Sequence, residues 1–102
     1  MKYQLVLQWP ASSIKDYDEM IRIENILIGA LGDFAVVDGH DMGSGERNIF
    51  LDTDNPNQAF EKAQQVLELE HAIEGLRAAY RLFTEHDYTI LWPPGLVSFS
   101  VA

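Results

Sequence analysis

The sequence predicts an α+β domain in which two amphipathic helices pack on an antiparallel sheet. Short segments alternate between apolar and polar residues with a period of two, which is typical of half-buried strands. Two longer segments repeat apolar residues at helical spacing. The chain has 102 residues, of which 47% are hydrophobic, so we expect a single domain over residues 1–102.

The first strand and the first helix have recognisable boundaries. Residues 2–9 alternate between apolar and polar side chains, and Pro10 ends this predicted strand. Asp16 followed by Glu19 three residues later matches a capping box, which predicts a helix start. The helical apolar pattern then ends at Gly32, a residue type that often follows the last helical turn.

A hairpin and a second helix follow. Residues 34–38 and 47–52 read as two strands, and the glycine-rich segment 39–46 between them suits an antiparallel turn. The sequence Asp-Asn-Pro at residues 54–56 predicts the second helix, because a polar cap followed by proline is typical of helix starts.

Residues 73–83 fit both a helix and a strand. Gly75 opposes one long helix, so we favour a strand that pairs with a further strand at 88–92. The apolar segment 96–102 is expected either to add an edge strand or to pair with another subunit. The predicted order is then β-α-β-β-α-β with an extra C-terminal strand, the ferredoxin-like plan, with two helices on one sheet face and the other face open.

The charge excludes several classes of partner. Sixteen acids against seven bases give a net charge of −9, which opposes binding to nucleic acid or to an anionic membrane. A basic protein partner is compatible with it, and so is a simple role in solubility. The sequence contains no cysteine, no apolar run long enough to span a membrane and no signal-peptide pattern, so we expect a cytoplasmic protein.

Polar residues of types that bind ligands or protein partners are concentrated along the predicted hairpin. The candidate ligand or partner residues are Asp38, His40, Asp41, Glu46, Asn48 and Asp52. A turn at residues 43–45 would pair His40 with Asn48 and place both on the open sheet face with Asp38 and Asp52. A register slip of one residue would move this set to the other face.

Two interpretations of this cluster remain open. Asp38, His40 and Asp52 carry donor types that bind metal ions, which would fit a small metal-dependent enzyme. Their spacing matches no strong metal motif, however, and a polar surface hairpin in which Asp41 pairs with Arg47 explains the same residues.

Three further side chains have a structural and a functional interpretation. Glu24 lies near the apolar stripe of the first helix and is either solvated at the edge of that stripe or a buried functional carboxylate. We favour the solvated position, because buried unpaired carboxylates are rare. Trp9 and Trp92 each end a strand just before a proline. They either anchor a partner at one rim of the sheet or cap the core, and we favour the core.

Two segments of the chain resemble a group of small bacterial single-domain proteins without a settled function. They are residues 38–46, Asp-Gly-His-Asp-Met-Gly-Ser-Gly-Glu, and residues 88–93, Tyr-Thr-Ile-Leu-Trp-Pro. The resemblance implies a bacterial origin and no particular chemistry. In size and charge the chain is also similar to immunity proteins that neutralise nuclease toxins.

The sequence as a whole favours a non-enzymatic protein-binding or dimerising module without a cofactor, with a homodimer formed through the open sheet face. An immunity-type inhibitor of a basic toxin and a metal-dependent enzyme that uses Asp38, His40 and Asp52 are the alternatives.

Overall fold

The described part of the chain, residues 1–43 and 45–102 of a computed structural model, contains five strands and two α-helices. The strands are β1 (Tyr3–Pro10), β2 (Val36–Asp41), β3 (Glu46–Thr53), β4 (Arg77–Leu82) and β5 (Thr89–Trp92). The helices are α1 (Tyr17–Leu31) and α2 (Pro56–Leu69), and a short 3₁₀ helix (Gly32–Phe34) follows α1. Ser44, which the sequence places in the turn between β2 and β3, lies outside the described residues.

The described strands form an antiparallel sheet in the order β2-β3-β1-β4-β5, so that β2 and β5 are its edges. This arrangement, with two helices, confirms the α+β class. Residues 73–83 contain β4, which pairs with β5 as the strand interpretation predicts. The strand β2 begins two residues later than expected, because the 3₁₀ helix takes up the residues just before it.

Side chains at both helix starts satisfy backbone N–H groups that have no partner within the helix. The Asp16 carboxylate accepts a hydrogen bond from the Glu19 N–H at 2.9 Å, as the predicted cap requires. At α2 the cap is Asn55, whose side chain accepts from the Gln58 N–H at 3.1 Å. Within residues 1–43 and 45–102, no helix is both long and apolar enough to cross a membrane.

The hydrophobic core lies between the sheet and the two helices. Alternate residues of β1 face the apolar stripes of both helices, as a period of two predicts for a strand with one buried face. The buried core side chains on these elements are Leu5, Leu7, Trp9, Met20, Ile23, Leu27, Leu31, Ala59, Phe60, Ala63 and Leu67. Both helices therefore cover the same face of the sheet.

The C-terminal segment, residues 96–102, crosses the opposite sheet face and forms no strand. The Gln8 side chain on β1 donates a hydrogen bond to the Ser100 carbonyl at 3.0 Å. The Phe99 ring packs edge-on against Tyr88, with 5.0 Å between ring centroids. Beneath this segment the face is partly covered and not open as the sequence predicts, and Val6, which points to it, is completely buried.

Candidate functional site

A β-bulge in β2 separates the hairpin residues that the sequence predicts to be together. Asp38 is the bulged residue and has no residue opposite it in β3. Beyond the bulge, His40 lies opposite Ile49 and Asp41 lies opposite Asn48, one residue away from the predicted register. Because side chains alternate along a strand, this shift turns His40 toward the helices. The predicted pairing of His40 with Asn48 is therefore wrong.

On the helix side, His40 contacts a buried carboxylate. Its Nδ1 lies 2.9 Å from Oε1 of Glu24 on α1, and its ring packs edge-on against Tyr17 with 5.7 Å between centroids. Glu24 is only 8% exposed, so the expectation that it is solvated is wrong. Its position four residues after the buried Met20 and three before the buried Leu27 is a sequence signal for this placement.

The bulge also explains why the predicted metal ligands do not converge. His40 faces the helices, whereas Asp38 and Asp52 lie near each other on the opposite face. Among residues 1–43 and 45–102, no group of three or more His, Asp or Glu side chains is arranged to hold a metal ion. The combination of Asp38, His40 and Asp52 is therefore not a single site in this fold.

The carboxyl of Asp52 on β3 is partly buried and has a raised pKa. Burial raises its pKa above the ordinary value of 3.8, the negative charge of Asp38 raises the pKa further, and the amino group of Met1 acts in the opposite direction. Its Oδ1 atom is buried and accepts no hydrogen bond from the described residues. The ionised form of Asp52 therefore costs the folded protein free energy.

We expect the substitution Asp52→Asn to raise the free energy of unfolding at about pH 7 by about 0.5–1 kcal/mol, the scale of a partly exposed charge interaction. The pKa of Asp52 is higher in the folded protein than in the unfolded chain. The folded protein therefore binds a proton at Asp52 more readily than the unfolded chain does, and it loses stability as the pH rises. The stabilisation by Asp52→Asn is therefore complete above the folded-state pKa of Asp52, and it disappears as the pH falls below 3.8.

Urea unfolding of both proteins at about pH 3, 5 and 7 measures this difference. Glu61→Gln is the matched control, because it removes one acid at an exposed position of α2. A gain that persists unchanged at about pH 3 contradicts the assignment to Asp52 ionisation.

Two of the candidate residues, Glu46 and Asn48, form a hydrogen-bonded network with Gln8. The Glu46 Oε2 atom accepts from Gln8 Nε2 at 2.8 Å, from Asn48 Nδ2 at 3.1 Å and from the Ala102 backbone N–H at 3.4 Å. Gln8 Nε2 also lies 3.0 Å from Asn48 Oδ1. This network holds the C-terminal segment against the sheet, which gives Glu46 and Asn48 a structural role.

Carboxylates without basic partners line the β2 side of the sheet. We call this surface the acidic edge; its residues are Asp38 and Asp41 on β2 and, on β3, Asp52, which lies opposite Val36. Within the described chain, none of these carboxylates forms an ion pair with Lys or Arg. Asp41 accepts a hydrogen bond from the Gly43 backbone N–H at 3.2 Å. Within the described chain, no lysine or arginine therefore neutralises the acidic edge.

Arg47, which the sequence pairs with Asp41, points elsewhere. Its guanidinium donates to the backbone carbonyls of Ile14 at 2.9 Å and Met42 at 2.7 Å. The expected pair of Asp41 with Arg47 is therefore wrong, and the arginine links the hairpin to the loop before α1.

Two clefts lie at the rim of the sheet where β1 ends. One, of about 520 Å³, is bounded by Trp92 and the start of β4, and the other, of about 430 Å³, lies between α1 and residues 71–75. Gly75 borders both and has a φ of +80°, and a Cβ atom there would lie 2.9 Å from the Ser13 hydroxyl oxygen. Only glycine therefore fits this close approach without strain.

The two tryptophans at this rim contribute mainly to the core. Trp9 is 1% exposed, and its indole N–H donates to the Ala72 carbonyl at 2.8 Å. Trp92 is half-buried, packs against the hydrophobic core and lies 6.3 Å from Phe60 between ring centroids. The interpretation as core residues fits both, and Trp92 also lines the larger cleft.

No family model, curated protein or solved structure matches this chain. A functional conclusion for it therefore depends on the geometry and charge of its own residues.

The structure divides the six predicted site residues into separate groups. Asp38 and Asp52 are neighbours on the acidic edge, Glu46 and Asn48 belong to the network under the C-terminal segment, His40 pairs with a helix, and Asp41 lies where β2 ends. Sequence reasoning considered Glu24 but expected it to be solvated, and it did not identify the arginine at the start of β4, Arg77.

Proposed function

We propose that this protein is a non-enzymatic binding module whose partner is a basic polypeptide that docks at the acidic edge. The observation that carries the proposal is the set of carboxylates without Lys or Arg partners beside β2, within the described chain. In the sheet formed by the described residues, β2 pairs only with β3, so its outer side offers backbone N–H and C=O groups. An extended segment is able to pair with such an edge as an added strand.

Charge complementarity favours a basic segment. Six of the 16 acids fall within residues 33–54 against a single base, Arg47, whose guanidinium is bound to backbone carbonyls. Lysine or arginine side chains of an added strand would lie near Asp38 and Asp41. Val36, which is 53% exposed at the start of β2, provides an apolar contact for the same segment.

The same charges disfavour pairing of two β2 edges from identical chains, because aspartates would then face aspartates. A homodimer through the opposite sheet face is the alternative that the sequence favours. Residues 96–102 of the chain already cross part of that face. An immunity-type inhibitor of a basic toxin is a particular case of the proposed basic partner.

We also infer that β1 to β4 follow the ferredoxin-like plan. In support, these four strands lie in the order β2-β3-β1-β4, all neighbours are antiparallel, and both helices pack on one face. β5 extends this sheet beside β4, so that β2 and β5 are its two edges.

Titration with a synthetic peptide of alternating lysine and valine tests the proposal. We expect backbone amide shifts in NMR spectra to be centred on β2. The double substitution Asp38→Asn/Asp41→Asn should weaken binding at least about tenfold, which corresponds to about 1.4 kcal/mol. Asparagine keeps the side-chain shape and the hydrogen bond to the Gly43 N–H.

Two controls separate this site from general charge attraction. The variant Glu61→Gln/Glu85→Gln has the same net charge and should bind like the unchanged protein, since both residues are exposed and far from β2 in sequence. A lysine–valine peptide with a central proline should not bind, because proline interrupts strand pairing. Equal loss in both double variants, or shifts centred away from β2, would overturn the proposal.

A further inference from the structure

We propose that the larger cleft at the sheet rim binds a small zwitterion with an apolar body, the chemical class of a free amino acid with an apolar side chain. This site lies where β3 and β4 begin and β1 ends, away from the acidic edge. The inference goes beyond the proposed polypeptide binding and does not depend on it.

Three polar side chains lie on the same face of the sheet beside the cleft. Gln8 lies opposite Arg77 in the register of β1 with β4, so both side chains point to the same sheet face. The Glu46 carboxylate lies 2.8 Å from Gln8 on the other side, on β3. All three residues line the cleft of about 520 Å³. Gln8 therefore separates an acid from a base.

The acid and the base are available to a ligand. Glu46 uses Oε2 for its three hydrogen bonds, and Oε1 accepts none from the described residues. Arg77 is exposed and makes no hydrogen bond or ion pair through its side chain with residues 1–43 or 45–102. The network holds the carboxylate of Glu46 in place, so an ammonium group meets an acceptor that is already oriented.

Glu46 and Arg77 flank Gln8 without an ion pair between them in the described chain. Glu46 lies opposite Pro10 and Arg77 lies opposite Gln8, two residues away along β1. With about 4.8 Å between adjacent strands and about 3.4 Å per residue, the backbones that carry the two charges are about 12 Å apart. A ligand with an ammonium and a carboxylate fills this space, with the ammonium at Glu46 and the carboxylate at the Arg77 guanidinium.

The rest of the lining is apolar and selects the ligand's body. Ile73, Leu76, Trp92 and Pro93 border the cleft. Its volume falls in the range of about 300–1,000 Å³ that is typical of small-molecule sites. The indole of Trp92 offers a flat surface for an aliphatic or aromatic side chain. A single-charge ligand or a purely polar one would leave part of this lining unmatched.

Isothermal titration calorimetry with leucine and three analogues tests the assignment. The analogues are 3-methylbutylamine, which lacks the carboxylate, 4-methylpentanoate, which lacks the ammonium, and glycine, which lacks the apolar side chain. We expect leucine to bind and each analogue to bind at least about tenfold more weakly. Equal affinity for leucine and either single-charge analogue overturns the zwitterion assignment, and no binding of leucine at millimolar concentration overturns the site.

Two substitutions locate the binding. Arg77→Gln should weaken leucine binding at least about tenfold and leave 3-methylbutylamine binding unchanged, because the amine makes no use of the arginine. Lys15→Gln removes one positive charge at an exposed loop position and should leave leucine binding unchanged. Circular dichroism verifies that both variants are folded.

The opposite pattern, in which Lys15→Gln weakens leucine binding and Arg77→Gln does not, contradicts the site. The lysine–valine peptide separates this inference from the proposed function. Arg77→Gln should leave peptide binding at β2 intact, so the failure of one proposal does not affect the other.

Discussion

Replacing Trp9 with alanine is expected to lower the free energy of unfolding by about 3–5 kcal/mol, the range for large-to-small changes of buried aromatic residues. Trp9 is 1% exposed and belongs to the core between sheet and helices. Its indole N–H also donates to the Ala72 carbonyl at 2.8 Å and thereby ties β1 to the loop after α2. The substitution removes both the packing volume and this hydrogen bond.

Urea unfolding monitored by circular dichroism measures the loss of stability. The variant Trp9→Phe separates the contribution of packing from that of the hydrogen bond. Phenylalanine keeps most of the ring volume and lacks the N–H, so we expect a smaller loss of about 1–2 kcal/mol. Val97→Ala is the control for an apolar side chain outside the core, because Val97 is 92% exposed, and its effect should be near zero. A cost below about 1 kcal/mol for Trp9→Ala would contradict the core assignment.

The second large effect is expected at the pair of Glu24 and His40. Glu24→Ala or His40→Ala should each cost about 1–3 kcal/mol, because each leaves a polar group of α1 or β2 without its partner. The double variant should cost less than the sum of the two single variants, with a coupling energy of about 1 kcal/mol or more. Urea unfolding of the four proteins at one pH gives this coupling.

Arg22 and Glu19 supply a matched control on the same helix. Their side chains lie 3.9 Å apart and are well exposed, so the same cycle should give a coupling below about 0.5 kcal/mol. Additive effects at Glu24 and His40 would show that their contact does not stabilise the attachment of β2 to α1.

Most element positions could be predicted because their signals are local. The alternation before Pro10, the cap at Asp16 and the Asn55–Pro56 start of α2 each depend on residues within a few positions of one another. The strand at residues 77–82 has no such local signal. Its short apolar run fits both the spacing of a helix and the alternation of a strand, and only pairing with β1 and β5 selects the strand.

The candidate site was predicted less well, because it depends on register. The composition of residues 38–54 correctly identified where carboxylates concentrate, but nothing local marks Asp38 as the bulged residue. A shift of one position moved His40 to the helix side and separated it from Asp52. The residues of the predicted cluster therefore form a carboxylate pair on one face and, on the other, a partly buried histidine that contacts Glu24.

By itself, the sequence determined the α+β class, the helix caps, the net charge of −9 and the concentration of acids along the hairpin. Only the tertiary structure decided the bulge, the burial of Glu24, the path of residues 96–102 and the meeting of Glu46 and Arg77 at one cleft. The physical reason is distance along the chain. Caps and periodic patterns act over a few residues, whereas the contact of Gln8 with Ser100 joins residues 92 positions apart.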